Sequence, residues 1–326
     1  MPYAHHARNH HALFTIFILA FITACAGPTP KPEPMTGVDP LLGTLVTTEW
    51  LNQHLRDPDL VLLDCTVRVD MDEKGAIKIV SGRADYEKGH IPNAGFADLT
   101  GELSNSGSPF QFALPTPEQF SAVMGALGVG TDSRVVLYDS SGAGWAARVW
   151  WMLRWIGFDR AALLDGGQGA WVAEGRPLSS ESVSRPMRQL AVTVRPELVA
   201  DRDEVFAAID NDAVQLVDAT PAAHFRGEMV LYQRAGHIPG ASNTPAFSLL
   251  DEAGRYRQED ALAALIPGDR NKRTITYCGG GISASSDAFI MTRLGFTDVA
   301  VYISSLQEWA ANPANPLVVD SPGVRH

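Results

Sequence analysis

The chain repeats itself, and that repetition limits the folds open to it more than any other feature. Gly89-His90-Ile91-Pro92-Asn93-Ala94 returns as Gly236-His237-Ile238-Pro239-Gly240-Ala241, and Val61-Leu62-Leu63-Asp64 returns as Gln215-Leu216-Val217-Asp218. Val135-Val136-Leu137-Tyr138-Asp139 returns as Thr274-Ile275-Thr276-Tyr277-Cys278, and Trp171 returns as Trp309. The order is kept and the offset is nearly constant, which is the mark of two copies of one unit. Each copy alternates short β-rich runs with helical runs. The fold class expected is therefore α/β, two tandem domains, each a mainly parallel sheet flanked by helices. In the first copy Ala146 to Trp155 reads as a helix ahead of Gly157-Phe158, and Ala161-Ala162-Leu163-Leu164 as the next strand. The stretch from Leu178 to Arg195 is rich in Ser, Arg and Pro without periodicity. The domains are accordingly placed at 38–178 and 196–320, with a linker over 179–195.

The two copies differ where chemistry is expected. In open α/β sheets, ligands gather at the carboxyl ends of the strands. One such end carries Asp139 and its counterpart carries Cys278, so one copy has a thiol and the other has lost it. Arg273-Thr274-Ile275-Thr276-Tyr277 is a strand by composition. Ala284 to Leu294 reads as a helix entered through Ser283, Ser285 and Ser286 and closed by Gly295. The loop Cys278-Gly279-Gly280-Gly281-Ile282-Ser283 lies between them. A thiol just before a helix N-terminus, on a loop whose glycines let N–H groups turn inward, is expected to have a lowered pKa. A buried structural cysteine beside a Gly-rich turn is the plainer reading. A phosphatase-type loop would need an Arg at position 284, where Ala284 stands.

With 326 residues the chain can fill two domain cores. Its 37 acidic against 26 Lys and Arg residues give a formal charge of −11, which argues against nucleic acid and against charge-driven binding to an anionic membrane. The N-terminus reads as a targeting segment. Arg8 and four histidines precede an apolar stretch from Ala12 to Ala24 that is short for a bilayer span and ends Ile22-Thr23-Ala24-Cys25. This resembles a bacterial lipoprotein signal (1–24) with Cys25 as the lipidated residue, an ordinary signal peptide or an uncleaved anchor being the alternatives. Pro28, Pro30, Pro32 and Pro34 make 25–37 an extended tether. The folded part is then expected to begin near Val38, outside the cytoplasm, in the periplasm and lipid-anchored to a bacterial membrane. Of the three cysteines, Cys65 is expected as a packed residue at a strand end, although a Cys65–Cys278 bridge is open in principle.

Taken together, the two GHIP motifs, the degenerate first loop and the Cys278 loop resemble a tandem-domain rhodanese-type sulfurtransferase. Leu164-Asp165-Gly166-Gly167 followed by Trp171, and Ala147-Arg148-Val149-Trp150-Trp151, resemble that family's first domain. The resemblance covers roughly Pro40 to Leu317. It implies a non-catalytic first domain and a Cys278 persulfide that carries sulfur from thiosulfate or 3-mercaptopyruvate to a thiophilic acceptor such as cyanide or a thiol. A protein acceptor is open, and no metal or organic cofactor is required. Backbone N–H groups along Gly279, Gly280, Gly281, Ile282, Ser283 and Ala284 would cradle the persulfide.

Donor preference is set, in that family, by the residues after the cysteine. Thiosulfate-preferring members carry basic residues there, and mercaptopyruvate-preferring ones carry Gly-Ser-Gly. The neutral Gly279-Gly280-Gly281 is nearer the second, but lacks its serine. The family's anion-binding Arg matches His224 here, with Arg226 two residues on, and Arg234 loosely matches a second one. These three are the candidate anchors, an exposed Arg being the alternative for each Arg. His237 is expected to fix the turn before Pro239; His90 is similar, though it can face the inter-domain cleft. Asp139 is expected to hold its own loop. Ile303-Ser304-Ser305 replaces the first copy's Asp165-Gly166-Gly167 beside the site. The rival readings are a non-catalytic binding or sensory module on the same scaffold, and a protein-persulfide relay.

Overall fold

Runs such as Leu60–Asp64, apolar at four successive positions before the closing Asp64 and buried at all five, form strands covered on both faces, as parallel sheets require. The computed structural model describes residues 45–71 and 77–320. The leader, Cys25 and the tether lie outside them. In the first half the strands are β1 (Leu45–Val46), β2 (Leu60–Asp64), β3 (Val67–Met71), β4 (Ile77–Ser81), β5 (Ala94–Phe96), β6 (Arg134–Tyr138) and β7 (Ala161–Leu164). The helices there are α1 (Thr48–His54), α2 (Arg83–Lys88), α3 (Pro117–Ala126), α4 (Gly144–Trp155) and α5 (Gly167–Ala173). The second half supplies β8 (Val199–Ala200), β9 (Val214–Asp218), β10 (Ser242–Asn243), β11 (Arg273–Tyr277) and β12 (Val299–Tyr302). Its helices are α6 (Arg202–Ala208), α7 (Ala222–Phe225), α8 (Glu259–Leu265), α9 (Ile282–Arg293) and α10 (Ser305–Trp309).

The sheet orders are β1-β7-β6-β2-β5 and β8-β12-β11-β9-β10, all parallel and equivalent strand for strand. The α/β duplication read from the sequence is therefore the fold. The first half adds an antiparallel hairpin, β3–β4, that the second lacks among the described residues. The repeated motifs have repeated jobs. The His90 ring bonds the Tyr86 carbonyl at 2.7 Å and stacks on Tyr86, and the His237 ring bonds the Phe225 carbonyl at 2.8 Å and stacks on Phe225. Tyr138 and Tyr277 each accept, at their hydroxyls, the N–H of the isoleucine in the adjacent GHIP turn. Both histidines are thus turn fasteners. Trp171 and Trp309 donate to the carbonyls of Pro177 and Pro316.

The halves share one core, and the described residues form a single compact unit. Helix α4, Gly-Trp-Ala-Ala-Arg-Val-Trp-Trp-Met-Leu-Arg-Trp, is apolar almost all round because it lies between its own sheet and α9. Trp150 meets Phe289 edge-on, with centroids 4.8 Å apart, and both are fully buried. Polar contacts reinforce the seam: Arg255 donates to Glu174 at 2.6 Å and the Tyr256 N–H to Asp165 at 2.9 Å. Residues 179–195, the expected linker, form no helix or strand beyond a bridge of Ser179 to His90. They are laid along the first half by Arg188 with Asp132 and by Thr193 N–H with the Ile156 carbonyl.

Phe289→Ala removes the edge-on partner of Trp150 at a site with no solvent to fill the gap. It is expected to cost about 3–5 kcal/mol of stability, read by urea denaturation, with both halves still unfolding in one transition.

Candidate active site

Strand β11 ends at Tyr277 and delivers Cys278 to the carboxyl edge of its sheet, 4% exposed and unpaired, while Cys65 is likewise free and wholly buried. No Cys65–Cys278 bridge exists. Helix α9 starts at once after Gly281, whose φ of 78° reaches the left-handed region that favours glycine. This folds the loop back so that the N–H groups of Ala284, Gly280 and Gly281 face the sulfur and favour its charged form. Burial acts more strongly in the opposite direction, and the net effect raises the thiol above its ordinary pKa. The sequence expectation of a lowered pKa is therefore corrected: a helix N-terminus stabilises the thiolate, but desolvation outweighs it.

The first half shows what this loop is built to hold. The Asp139 carboxylate sits at the equivalent strand end and accepts the N–H groups of Ser141 at 2.9 Å, Ala143 at 3.0 Å and Ala146 at 2.9 Å. It does hold its own loop. The nest is an anion site in both halves, filled permanently in one and by sulfur in the other.

The remaining loop glycines are explained by what lies on them. A Cβ on Gly279 would overlap the Tyr232 hydroxyl, and one on Gly280 would overlap the Gln307 amide. Gln307 is held across the domain seam: its Oε1 accepts the Gln111 N–H at 2.9 Å. From beneath, α10 grips the loop, with the Leu306 N–H on the Cys278 carbonyl and the Gln307 N–H on the Gly279 carbonyl, both at 3.0 Å. Ser305, at φ 50°, accepts the Cys278 N–H at 3.1 Å and donates to the Tyr302 carbonyl at 2.6 Å. In the first half the matching turn uses Gly167, where a Cβ would overlap the Asp139 carbonyl. The change of Asp-Gly-Gly to Ile-Ser-Ser thus puts a bracing hydroxyl under the cysteine.

The charge at the site comes from the other half. Arg148 of α4 is fully buried, and a Cβ on Gly281 would stand 3.4 Å from its Nη1. Its Nη2 donates to the Phe112 carbonyl at 2.7 Å, while Nε and Nη1 find no partner among the described residues. Burial brings its pKa down to about 10, opposed by the negative charge of Cys278. A guanidinium with idle donors against the loop favours negative charge on the sulfur.

The three expected anchors are placed elsewhere. Arg226 is exposed in an ion pair with Glu228. Arg234 donates to the carbonyls of Trp309, Ala310, Asn312 and Asn315, so its whole guanidinium ties down the C-terminal turn. His224 is fully buried, lowered in pKa by desolvation and hence neutral, with its ring edge-on to Tyr232 at 5.6 Å. None of the three lines the cavity of about 700 Å³ onto which Cys278, Gly279, Gly280, Ile282 and Ser283 open. A sequence cannot show that a guanidinium is already saturated by carbonyls. The signal for Arg148 was legible: a charge in the middle of an apolar helix.

The rhodanese-like domain family matches this chain twice, over residues 47–174 and 201–312. The 3-mercaptopyruvate sulfurtransferase of Escherichia coli O157:H7 is 32% identical over 281 residues, covering 83% of this chain and 98% of that protein. The thiosulfate sulfurtransferase of Cricetulus griseus is 30% identical over 282 residues, covering 82% and 92%. The crystal structure of SseA from Escherichia coli, described as a 3-mercaptopyruvate sulfotransferase with the rhodanese fold, superposes with a TM-score of 0.70 at 32% identity, covering 79% of this chain and 97% of that one.

Arg148→Met keeps the volume and removes the charge. The rate of Cys278 alkylation by iodoacetamide, followed by peptide mass, should climb with pH past neutrality in the wild type, because burial holds the thiol up. In the variant the same climb should be displaced to still higher pH. Coincident profiles would separate Arg148 from the sulfur.

Proposed function

The chain belongs to the rhodanese family as a tandem-domain sulfurtransferase, and on that premise we propose that Cys278 carries sulfur from a mercapto-acid donor of the 3-mercaptopyruvate type. The observation that carries this reading is the anion nest at the end of β11, holding a sulfur where its twin holds a carboxylate. The Cys278 thiolate attacks the donor's sulfur, the donor's carbon–sulfur bond breaks, and the outer sulfur stays on Cys278 as a persulfide while pyruvate leaves. An acceptor then removes that sulfur. The process is covalent catalysis in two half-reactions and follows ping-pong kinetics. The loop N–H groups and the Arg148 charge stabilise sulfur as an anion in each half-reaction, the part an oxyanion hole plays for oxygen.

Two features favour a mercapto-acid over thiosulfate. The relative from Escherichia coli is named for 3-mercaptopyruvate. The positions after the cysteine carry no basic side chain to grip a sulfonate, and Tyr232 and the Gln307 amide lie in the space beside them. The Gln307 amide stands where mercaptopyruvate-type loops carry a serine, and can donate to a donor's carbonyl but cannot relay a proton. Activity must then draw its proton from solvent, in keeping with a thiol that burial holds protonated at rest.

The same proposal places the enzyme outside the cytoplasm, periplasmic and anchored to a bacterial membrane through lipid on Cys25. Support comes from the apolar 12–24 stretch, the small residues before Cys25 and the Pro-rich tether after it.

The wild-type protein should gain the mass of one sulfur atom on exposure to 3-mercaptopyruvate and lose it to cyanide. The gain should be slower by an order of magnitude with thiosulfate, and absent in Cys278→Ser. Turnover retained in that variant would sink the mechanism. Independently, Cys25→Ser should move the expressed protein from the membrane pellet to the soluble fraction. A wild type that is soluble from the start would remove the anchor.

A further inference from the structure

The cavity over Cys278 is larger and greasier than a three-carbon mercapto-acid needs. Its volume of about 700 Å³ falls in the range, roughly 300–1,000 Å³, that takes drug-sized ligands. Its walls are Ile79, Phe112, Trp145, Leu231, Phe247 and Ile282, drawn from both halves. Among the described residues that line it there is no Lys, Arg, His, Asp or Glu. Its polar lining is uncharged: Ser141, Thr220, Tyr232, Ser283, Ser286, and Gln307 with Gln111, beside the loop N–H groups. The mouth is apolar as well. Val69 and Ile77 of the hairpin are 56% and 57% exposed, and Phe247 is 67% exposed. Large apolar side chains gathered at the rim of a cavity mark a binding surface rather than ordinary scatter.

We propose that the sulfur acceptor is an organic thiol with an uncharged, apolar body, which lies along these walls with its thiol at the floor. The proposal rests on the persulfide reading of Cys278 above and deepens it by naming the acceptor class. Once the persulfide occupies the loop N–H groups that favour an anion, a charged acceptor finds no cation among the described residues lining the cavity and no attraction from a net charge of −11. An alkyl or aryl body instead gains from every methylene removed from water. The transfer balances without any outside oxidant. The acceptor thiolate attacks the outer sulfur of protonated Cys278–S–SH, a new S–S bond forms, and the bond to Sγ breaks. The electron pair remains on Sγ as thiolate in its nest, and the acceptor leaves as a persulfide that keeps the outer sulfur's proton.

The test is single-turnover discharge of the wild-type persulfide, loaded with 3-mercaptopyruvate, freed of donor and followed by intact mass. Ethanethiol, butanethiol and hexanethiol are compared with 3-mercaptopropionate and 2-mercaptoethanesulfonate. The second-order rate constant should rise about threefold to fourfold per added methylene along the alkyl series. The two charged thiols should be slower than butanethiol by tenfold or more. In the double variant Leu231→Ser, Phe247→Ser, at two exposed positions, the slope against chain length should flatten. Discharge by cyanide reads the persulfide chemistry alone. If cyanide discharges the enzyme but the alkyl slope is flat, or the charged thiols are faster, the apolar-acceptor proposal is overturned and the sulfurtransferase reading stands. If the slope is steep in both wild type and double variant, the assignment of this mouth is overturned. If no persulfide loads or none yields to cyanide, the reading beneath the proposal fails.

Discussion

Everything at the functional end of this protein depends on a small nest of backbone N–H groups closing on one buried acidic side chain. The loop must turn sharply after a central strand, so it takes residues in the left-handed region, Ala143 in one half and Gly281 in the other. The turn aims the first turn of a long helix back at the strand end. With Asp139 inside, the nest is satisfied: three N–H groups meet a strong acceptor, and nothing further is gained by chemistry there. With Cys278 inside, the same donors meet a weak acceptor that answers them fully only as an anion. Burial resists that charge, and the balance leaves the sulfur neutral at rest but rewarded, in thiolate or persulfide form, by groups already in place.

That balance explains why two halves are needed for one reaction. The first half has no thiol on its own nest, yet it supplies the buried Arg148 against the Cys278 loop, Gln111 to hold Gln307, and the hairpin and aromatic wall of the cavity. The shared core through α4 and α9 fixes these at a constant distance from the sulfur. Separate domains on a flexible linker could not keep an unsatisfied guanidinium dry beside a loop. The strapping of 179–195 along the first half serves the same end.

Much of this was legible in the sequence because it is local or repeated. The repeat gave the paired sheets, the β11-to-α9 transition gave the nest, and the substitution of Asp139 by Cys278 marked the reactive half. What escaped was decided over long distances. Arg226 and Arg234 have the spacing of anion anchors, yet Glu228 and four carbonyls claim them. The thiol's pKa followed from the helix end as far as sign, but burial, which no motif records, reversed the outcome. Tyr232, Ser305 and Gln307 reach the loop only once the chain is folded. Ser305 alone left a trace, as the departure from Asp-Gly-Gly.

The way Gln307 lies on Gly280 also has a bearing on how such a chain could have come by its loop. A side chain at position 280 and the Gln307 amide as it lies claim one volume, so the one has room only if the other swings aside or is shortened. The two sites are therefore not independent heritable characters. A serine at 280 beside a glutamine at 307 would require the amide to leave its place on the loop, and with it the hold of Gln111 on Gln307 Oε1 would change. Among relatives, the residue at one of these positions should forecast the size of the other, even where the rest of the loop has drifted.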